Sequence, residues 1–430
     1  MGEIIAHKMS MNTTTDTVLR LNEQNTKEKI FNILNLGVPI LMGIFLFFVP
    51  FPHTTAIKEI CFYLSIFIVI LLIFLKKGSF SFRSPLTLPF ALFTAWVFVG
   101  LFFALYKENS IHDFYAHLLK YLAIYYILIN FFSSRKRLII LSWIIIISAG
   151  IFSIGGLVYF YVILKNPIST RLGFSHMMNI TLIGFVTIFA MLLSLRQFRL
   201  ETNWYRKAIL VVCLLGTSTA TYLTMSRGSL MAAFIALIVF FVKRNRLSVV
   251  FLIIFSLIVV TSVPVLKSRL SFSTALKDIR VGINLTTLEI IKDYPIIGIG
   301  FGMETYGYSD FIDLAKYNAK IPPQYQQKTV VRSPHNSFAD VAVRAGVVGL
   351  ALFLFIYFSF IRLGWNIIRY GKDDFIKEWG ICIIAAFIGV FIQELFADGM
   401  FGPQAIVLYT IFAIMTILWQ INTETDSITI

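Results

Sequence analysis

Apolar runs of about 20 residues, each closed by a short polar stretch, recur along nearly the whole chain, and a helix of that length crosses ~30 Å of hydrocarbon with its backbone groups satisfied internally. On that ruler the pattern predicts twelve spanning helices, near residues 30–49, 57–75, 86–106, 114–132, 138–164, 177–195, 208–225, 228–242, 247–266, 346–361, 379–396 and 403–421. One long polar interruption, residues 267–345, separates the ninth span from the tenth. The expected organisation is thus an all-α polytopic membrane domain: a tail (1–29), nine spans (30–266), the polar segment (267–345), three spans (346–421) and a second tail (422–430).

Inside the polar segment the periodicity changes. Residues 284–292 carry helical spacing through Leu285, Leu288 and Ile291 and stop at Tyr294-Pro295, where proline cannot continue a helix. Gly298, Gly300 and Gly302 then predict a tight, adaptable loop. Ser333 before Pro334 reads as an N-cap followed by the first helical position, which puts His335 in the first turn of a helix running straight on into the tenth span. Gly346 and Gly349 fall on one face of it, where a neighbouring helix can approach closely.

Composition sharpens the class. Of 430 residues 58% are hydrophobic and 14% charged, with a mean hydropathy of +0.81, which excludes an ordinary soluble domain of this size. The net charge of +15 does not indicate nucleic acid, because the basic residues are dealt out between spans instead of gathering on one soluble face. Five alternate connections (76–83, 133–137, 196–207, 243–246 and 362–377) hold seventeen lysines and arginines, whereas the short ones between them hold Lys58, Lys107, Lys165, Arg171 and Arg227. That asymmetry predicts cytoplasmic termini and an outward-facing 267–345 segment. The polar start, with Lys8, Arg20, Lys27 and Lys29, lacks the apolar core and cleavage site of a removable signal, so the first span is expected to serve as the anchor. Cys61, Cys213 and Cys382 are widely spaced in or beside spans, which predicts packed thiols and neither a disulfide framework nor a metal cluster.

On this topology Arg171, Arg227, Arg280 and His335 all fall on the outer side near span ends, and together they make an anion site. Arginine suits phosphate because its planar fork gives paired charge-assisted hydrogen bonds and keeps its proton. A histidine in a first helical turn is held neutral by the positive end of the dipole and can accept a proton. Plainer readings stand beside these: an interfacial anchor for Arg227, an undistinguished loop residue for Arg171, a solvated loop charge for Arg280, a helix cap for His335. Lys120 and His117 in the fourth span, and Glu394 and Asp398 near the outer end of the eleventh, are ionisable groups at membrane depth, hence functional candidates or a structural pair with one another. The GIGFG run (298–302) follows a proline-terminated helix and no strand, so it does not read as a nucleotide loop.

Taken in order, these stretches resemble the O-antigen ligase family, which includes related polysaccharide polymerases and protein O-oligosaccharyltransferases. SRGSL at 226–230 resembles the family's arginine at the start of a span. Arg280, followed by Pro295 and GIGFG, resembles its outer arginine, helix and P-x-x-G-x-G turn, although Asn284 stands where many members carry an aromatic residue. PHNSF and AGVVGL within 334–350 resemble its histidine motif, and RLGFSH at 171–176 fits an earlier outer loop. The resemblance implies an inverting, metal-independent glycosyltransferase at the periplasmic face of the inner membrane of a Gram-negative bacterium, needing no cofactor. Its donor would be a glycan on undecaprenyl pyrophosphate and its acceptor a sugar hydroxyl of lipid A–core oligosaccharide. His335 would be the general base, with Arg227, Arg280 and Arg171 holding the pyrophosphate. A polymerase or a protein O-oligosaccharyltransferase would use similar parts. A transporter of an anionic substrate is the reading from another class, disfavoured by the lack of repeated halves and of paired broken helices at midplane depth.

Overall fold

A computed structural model describes residues 29, 31–75, 80–173, 180–243, 246–250, 253–254, 279–328 and 330–424. Its main helices are α1 (Phe31–Phe48), α2 (Thr55–Phe74), α3 (Thr87–Phe103), α4 (Lys107–Phe131), α5 (Arg135–Ile163), α6 (Ile180–Leu200), α7 (Trp204–Leu223), α8 (Arg227–Val242), α9 (Ile279–Asp293), α10 (Leu314–Lys320), α11 (Ser337–Tyr370), α12 (Asp374–Glu394) and α13 (Gly402–Glu424). Among the described residues there is no strand. Among the described residues eight helices are long and apolar enough by themselves to cross a membrane, while α3 and α8 are shorter apolar helices. Helices stand at eleven of the expected spans, and most of the ninth, 247–266, lies outside the described residues.

The polar connections start these helices with side-chain caps. Ser134 accepts from the amide of Arg137, Asn203 from those of Tyr205 and Arg206, and Asp373 from that of Ile376, each satisfying donors that a helix start leaves open. Between the caps the helices are apolar on every side, the pattern of segments solvated by lipid or by one another. α6 and α13 are almost wholly buried. α12 packs against α6, α8, α11 and α13; α7 lies against α5 and α6, α4 against α13, and α3 against α11. The periphery carries exposed Phe67, Phe74, Leu88 and Phe102, which lipid accommodates without the penalty water would exact. All three cysteines are buried, and none is in a disulfide.

The feature that shapes one end of this bundle is a break in α11. The helix expected to run straight on departs from helical geometry at Gly346, whose φ is +71°, a left-handed conformation that only glycine enters cheaply. The break leaves the carbonyls of the preceding turn without i+4 donors, and the segment after Pro295 supplies replacements. Ile299 N donates to Val343 O (2.9 Å), Gly300 N to Arg344 O (3.1 Å) and Trp96 Nε1 of α3 to Ala345 O (2.8 Å). In return Val347 N donates to Pro295 O (2.8 Å), and Leu105 N donates to Ile299 O (3.0 Å). GIGFG is therefore a backbone brace for a broken helix and not a free, adaptable loop. Gly349 does admit a neighbour closely, Trp96 of α3, whereas Gly346 faces the 296–297 backbone.

A Cβ on Gly346 would lie 1.9 Å from Ile296 O, so Gly346→Ala should destabilise the protein by about 2–4 kcal/mol through clash and left-handed strain together. Gly155 in α5 has open space around its Cβ direction, and Gly155→Ala should be neutral or stabilising by up to about 1 kcal/mol. Thermal unfolding of both purified variants in one detergent checks the contrast; equal midpoints would contradict it.

Candidate functional site

His335 sits outside the helix that the sequence predicted it would begin. Asn336 is the N-cap, accepting from the amides of Phe338 (3.0 Å) and Ala339 (3.2 Å), and the first helical residue is Ser337. Asparagine wins over the Ser333-Pro334 pair because its short amide reaches two open amides from an extended backbone. His335 itself is left-handed (φ +50°), a conformation that costs a non-glycine residue about 1–2 kcal/mol and persists where surroundings enforce it. The first-turn dipole argument for a neutral imidazole thus loses its premise. What faces the ring instead is Asp398, with Nδ1 3.4 Å from Oδ2; both side chains are about one-third exposed.

Asp398 is held from both sides. Its Oδ2 accepts a hydrogen bond from Ser333 Oγ, and Ser337 Oγ donates to Ala397 O (2.9 Å) while accepting from Gly399 N (2.7 Å). The loop after α12 and the approach to α11 therefore fix each other, and a carboxylate on the Nδ1 side of the ring favours the proton there, leaving Nε2 to accept one.

The turn between α7 and α8 brings in two arginines. Arg171 Nε donates to Thr224 O (2.6 Å) and Leu172 N to Leu223 O (2.8 Å), so residues 171–172 are fastened to the end of α7. Met225 is left-handed (φ +48°), Ser226 caps α8, and Arg227 is its first residue. Gly228 lies flush with Phe396, where a Cβ would come within 2.9 Å, and Phe396 is two residues from Asp398. Arg171, Arg227 and the His335–Asp398 pair thus lie on adjoining elements at one end of the bundle.

Arg280 stands on a separate element. It lies in the first described turn of α9, which begins earlier than the sequence suggested, so Arg280 is a half-buried helical residue and not a loop charge. α9 packs on α10 and on α11. Thr287 Oγ1 and Tyr306 OH share a hydrogen bond (2.7 Å), and hydrogen bonds from Tyr317 and Lys320 hold the Asp293 carboxyl below its ordinary range. These contacts fix the α9–α10 layer over the brace.

The ionisable groups deep in the sequence pattern pair differently from the expectation that joined the fourth span to the eleventh. Lys120 bonds Glu59 of α2, and His117 reaches Tyr121 OH (3.0 Å) and Asp113 (3.6 Å). Glu394 accepts from Tyr357 OH inside the bundle. Of these secondary candidates only Asp398 faces His335.

Sequence reasoning missed a buried ion pair that secures the brace. Arg344 Nε donates to Asp340 Oδ1 (2.6 Å), its Nη1 and Nη2 donate to the carbonyls of Gly302 and Met303, and its guanidinium lies 5.3 Å from the Phe401 ring centre. The signal was present as an acid and an arginine four residues apart in an otherwise apolar helix. Among the described residues, no group of three or more His, Cys, Asp or Glu side chains is placed to hold a metal ion.

The class defined by these observations is an all-α polytopic membrane protein with a basic, histidine-bearing site at one end of its bundle. Residues 208–354 match the family model described as O-antigen ligase. The matched stretch runs from α7 into α11 and takes in Arg227, Arg280 and His335, while Arg171, Lys120, Glu394 and Asp398 lie outside it. No curated protein matches the chain.

Removing one partner of the buried pair strands the other, so Arg344→Met should cost about 3–5 kcal/mol. Adding Asp340→Asn to it should recover part of that loss, since the stranded carboxylate disappears. A double-mutant cycle read by thermal unfolding checks this; strictly additive losses would show that the two groups do not couple.

Proposed function

We propose that the chain is an O-antigen ligase, transferring a glycan from undecaprenyl pyrophosphate to a sugar hydroxyl of lipid A–core oligosaccharide at the periplasmic face of a Gram-negative inner membrane. The observation that carries this reading is His335, inside the stretch that matches the ligase family, paired with Asp398 near the helix start that bears Arg227. His335 Nε2 takes the proton of the acceptor hydroxyl as its oxygen bonds the anomeric carbon from the face opposite the leaving group. The bond from that carbon to the pyrophosphate oxygen breaks, and the configuration inverts. Asp398 orients the ring and stabilises the imidazolium. Arg227, Arg280 and, through the turn that it fastens, Arg171 offset the charge developing on the departing lipid pyrophosphate, the task a divalent cation fills elsewhere.

The proposed orientation, with both termini in the cytoplasm and residues 267–345 outside, is supported by the alternation of basic connections along the sequence. A lipid-bound donor also explains why the site is mounted on so many spans, since its isoprenoid chain has to approach from the bilayer.

His335→Ala should lower transfer by about 10²–10⁴-fold while the protein still inserts in the membrane, and Arg227→Ala and Arg280→Ala should each lower it as well. Lipopolysaccharide profiles of a deletion strain carrying each variant give the measurement. Uncapped core with accumulated lipid-linked polymer is the expected pattern, whereas core bearing a single repeat would assign a polymerase, and normal capping by His335→Ala would remove the mechanism. With purified protein and lipid-linked donor, transfer should be unchanged by EDTA; loss restored by a divalent cation would overturn the metal-independent scheme.

A further inference from the structure

At the end of the bundle opposite the candidate site, α11 and α13 part around a cavity of about 450 Å³, within the range of small-ligand pockets. It is apolar on one side, through Phe355 and Phe358, and polar at its rim, through Arg362, Asn366, Trp419 and Asn422. Phe355 and Asn366 are eleven residues apart on one helix, roughly 16 Å along its axis, so the cavity grades from apolar to polar over about the depth of one leaflet. We propose that this cavity binds an anionic phospholipid of the bilayer, its phosphate at Arg362 and an acyl chain along Phe355 and Phe358.

The charge balance favours an anion. Arg362 is exposed in the cavity and makes no hydrogen bond or ion pair with any described residue. The nearby acid Asp373, which opens α12, is already paired with Arg135. Asn422, on the same rim, accepts the amide of Lys372 at Oδ1 (3.1 Å). The rim also has the marks of an interface. Tyr370 is 65% exposed with Arg369 over its ring at 5.3 Å, and Lys243 lies over Trp365 at 5.3 Å, amphipathic side chains of the kind that settle at headgroup depth. A zwitterionic lipid would bring a second positive charge against Arg362, and a free phosphate would leave the phenylalanine wall uncovered.

Native mass spectrometry of the full-length protein, incubated with equal amounts of phosphatidylglycerol and phosphatidylcholine of the same acyl chains, tests the proposal. The protein should retain phosphatidylglycerol roughly fivefold over phosphatidylcholine, the preference one interfacial arginine confers. Arg362→Gln should bring the ratio near one, Arg362→Lys should keep most of it, and Lys136→Gln, which removes a charge from another connection at the same end, should leave it unchanged. No preference in the unaltered protein would overturn the site, as would an equal fall in Lys136→Gln, which would mean diffuse charge. Displacement of the lipid by millimolar inorganic phosphate would assign the arginine to a free anion and overturn the lipid reading.

Discussion

The constraint on which the site depends is that irregular backbone at the end of a membrane bundle has to find hydrogen-bond partners within the protein. Breaking α11 at Gly346 frees carbonyls that would each cost about 1–3 kcal/mol if left unmet. The 295–300 segment meets two of them and Trp96 a third. One helix break, one glycine-rich segment and one tryptophan therefore form a single unit. Gly298 (φ +80°) belongs to it because a Cβ there would sit 2.5 Å from the Arg344 backbone. The consequence for the candidate site is positional: the part of α11 before Gly346 becomes a short helix set apart from the span, and its start presents His335 beside the loop that follows α12.

A second layer of organisation places charge only where it is answered. Arg344 and Asp340 are both buried, and a buried pair is justified less by its own attraction than by what else it satisfies. Here the guanidinium also takes the carbonyls of Gly302 and Met303, so the pair is the clasp between the brace and the helix carrying the histidine. The left-handed residues Met225 and His335 occupy the two turns that present Arg227 and the imidazole. Strain located at both presenting turns fits a site whose geometry is imposed by its scaffold.

Much of this was legible in the sequence because lipid imposes a strong pattern. Span length, the polar interruption and the basic asymmetry all follow from hydrocarbon thickness and from charge placement, which are local properties of a string of residues. The stop at Tyr294-Pro295 was legible for the same reason, since it depends on proline's own geometry. What the sequence concealed were the choices between competing local signals. Ser333-Pro334 and Asn336 both offer a helix start; the Asn336 cap wins, and Ser337 beside it is tied through its hydroxyl to the 397–399 loop sixty residues away. The partners of Lys120 and Glu394 were concealed too, because Glu59 and Tyr357 become neighbours only through packing between helices.

The same requirement accounts for the cluster of polar residues at the start of α4. Asn109 Oδ1 accepts from Glu304 N (3.0 Å), Ser110 Oγ from Gly302 N (3.2 Å) and Asp113 Oδ2 from Met303 N (2.6 Å). Three successive backbone donors just beyond the brace are thus satisfied by three side chains on one face of a single helix. Asp113 is almost wholly buried, and His112 Nδ1 (2.9 Å) and His117 Nε2 (3.6 Å) supply the groups that face its other oxygen. Ionisable residues at membrane depth are functional candidates by default. Here Asp113 and the two histidines beside it have structural employment, since the carboxylate helps hold the 302–304 turn in place for Arg344.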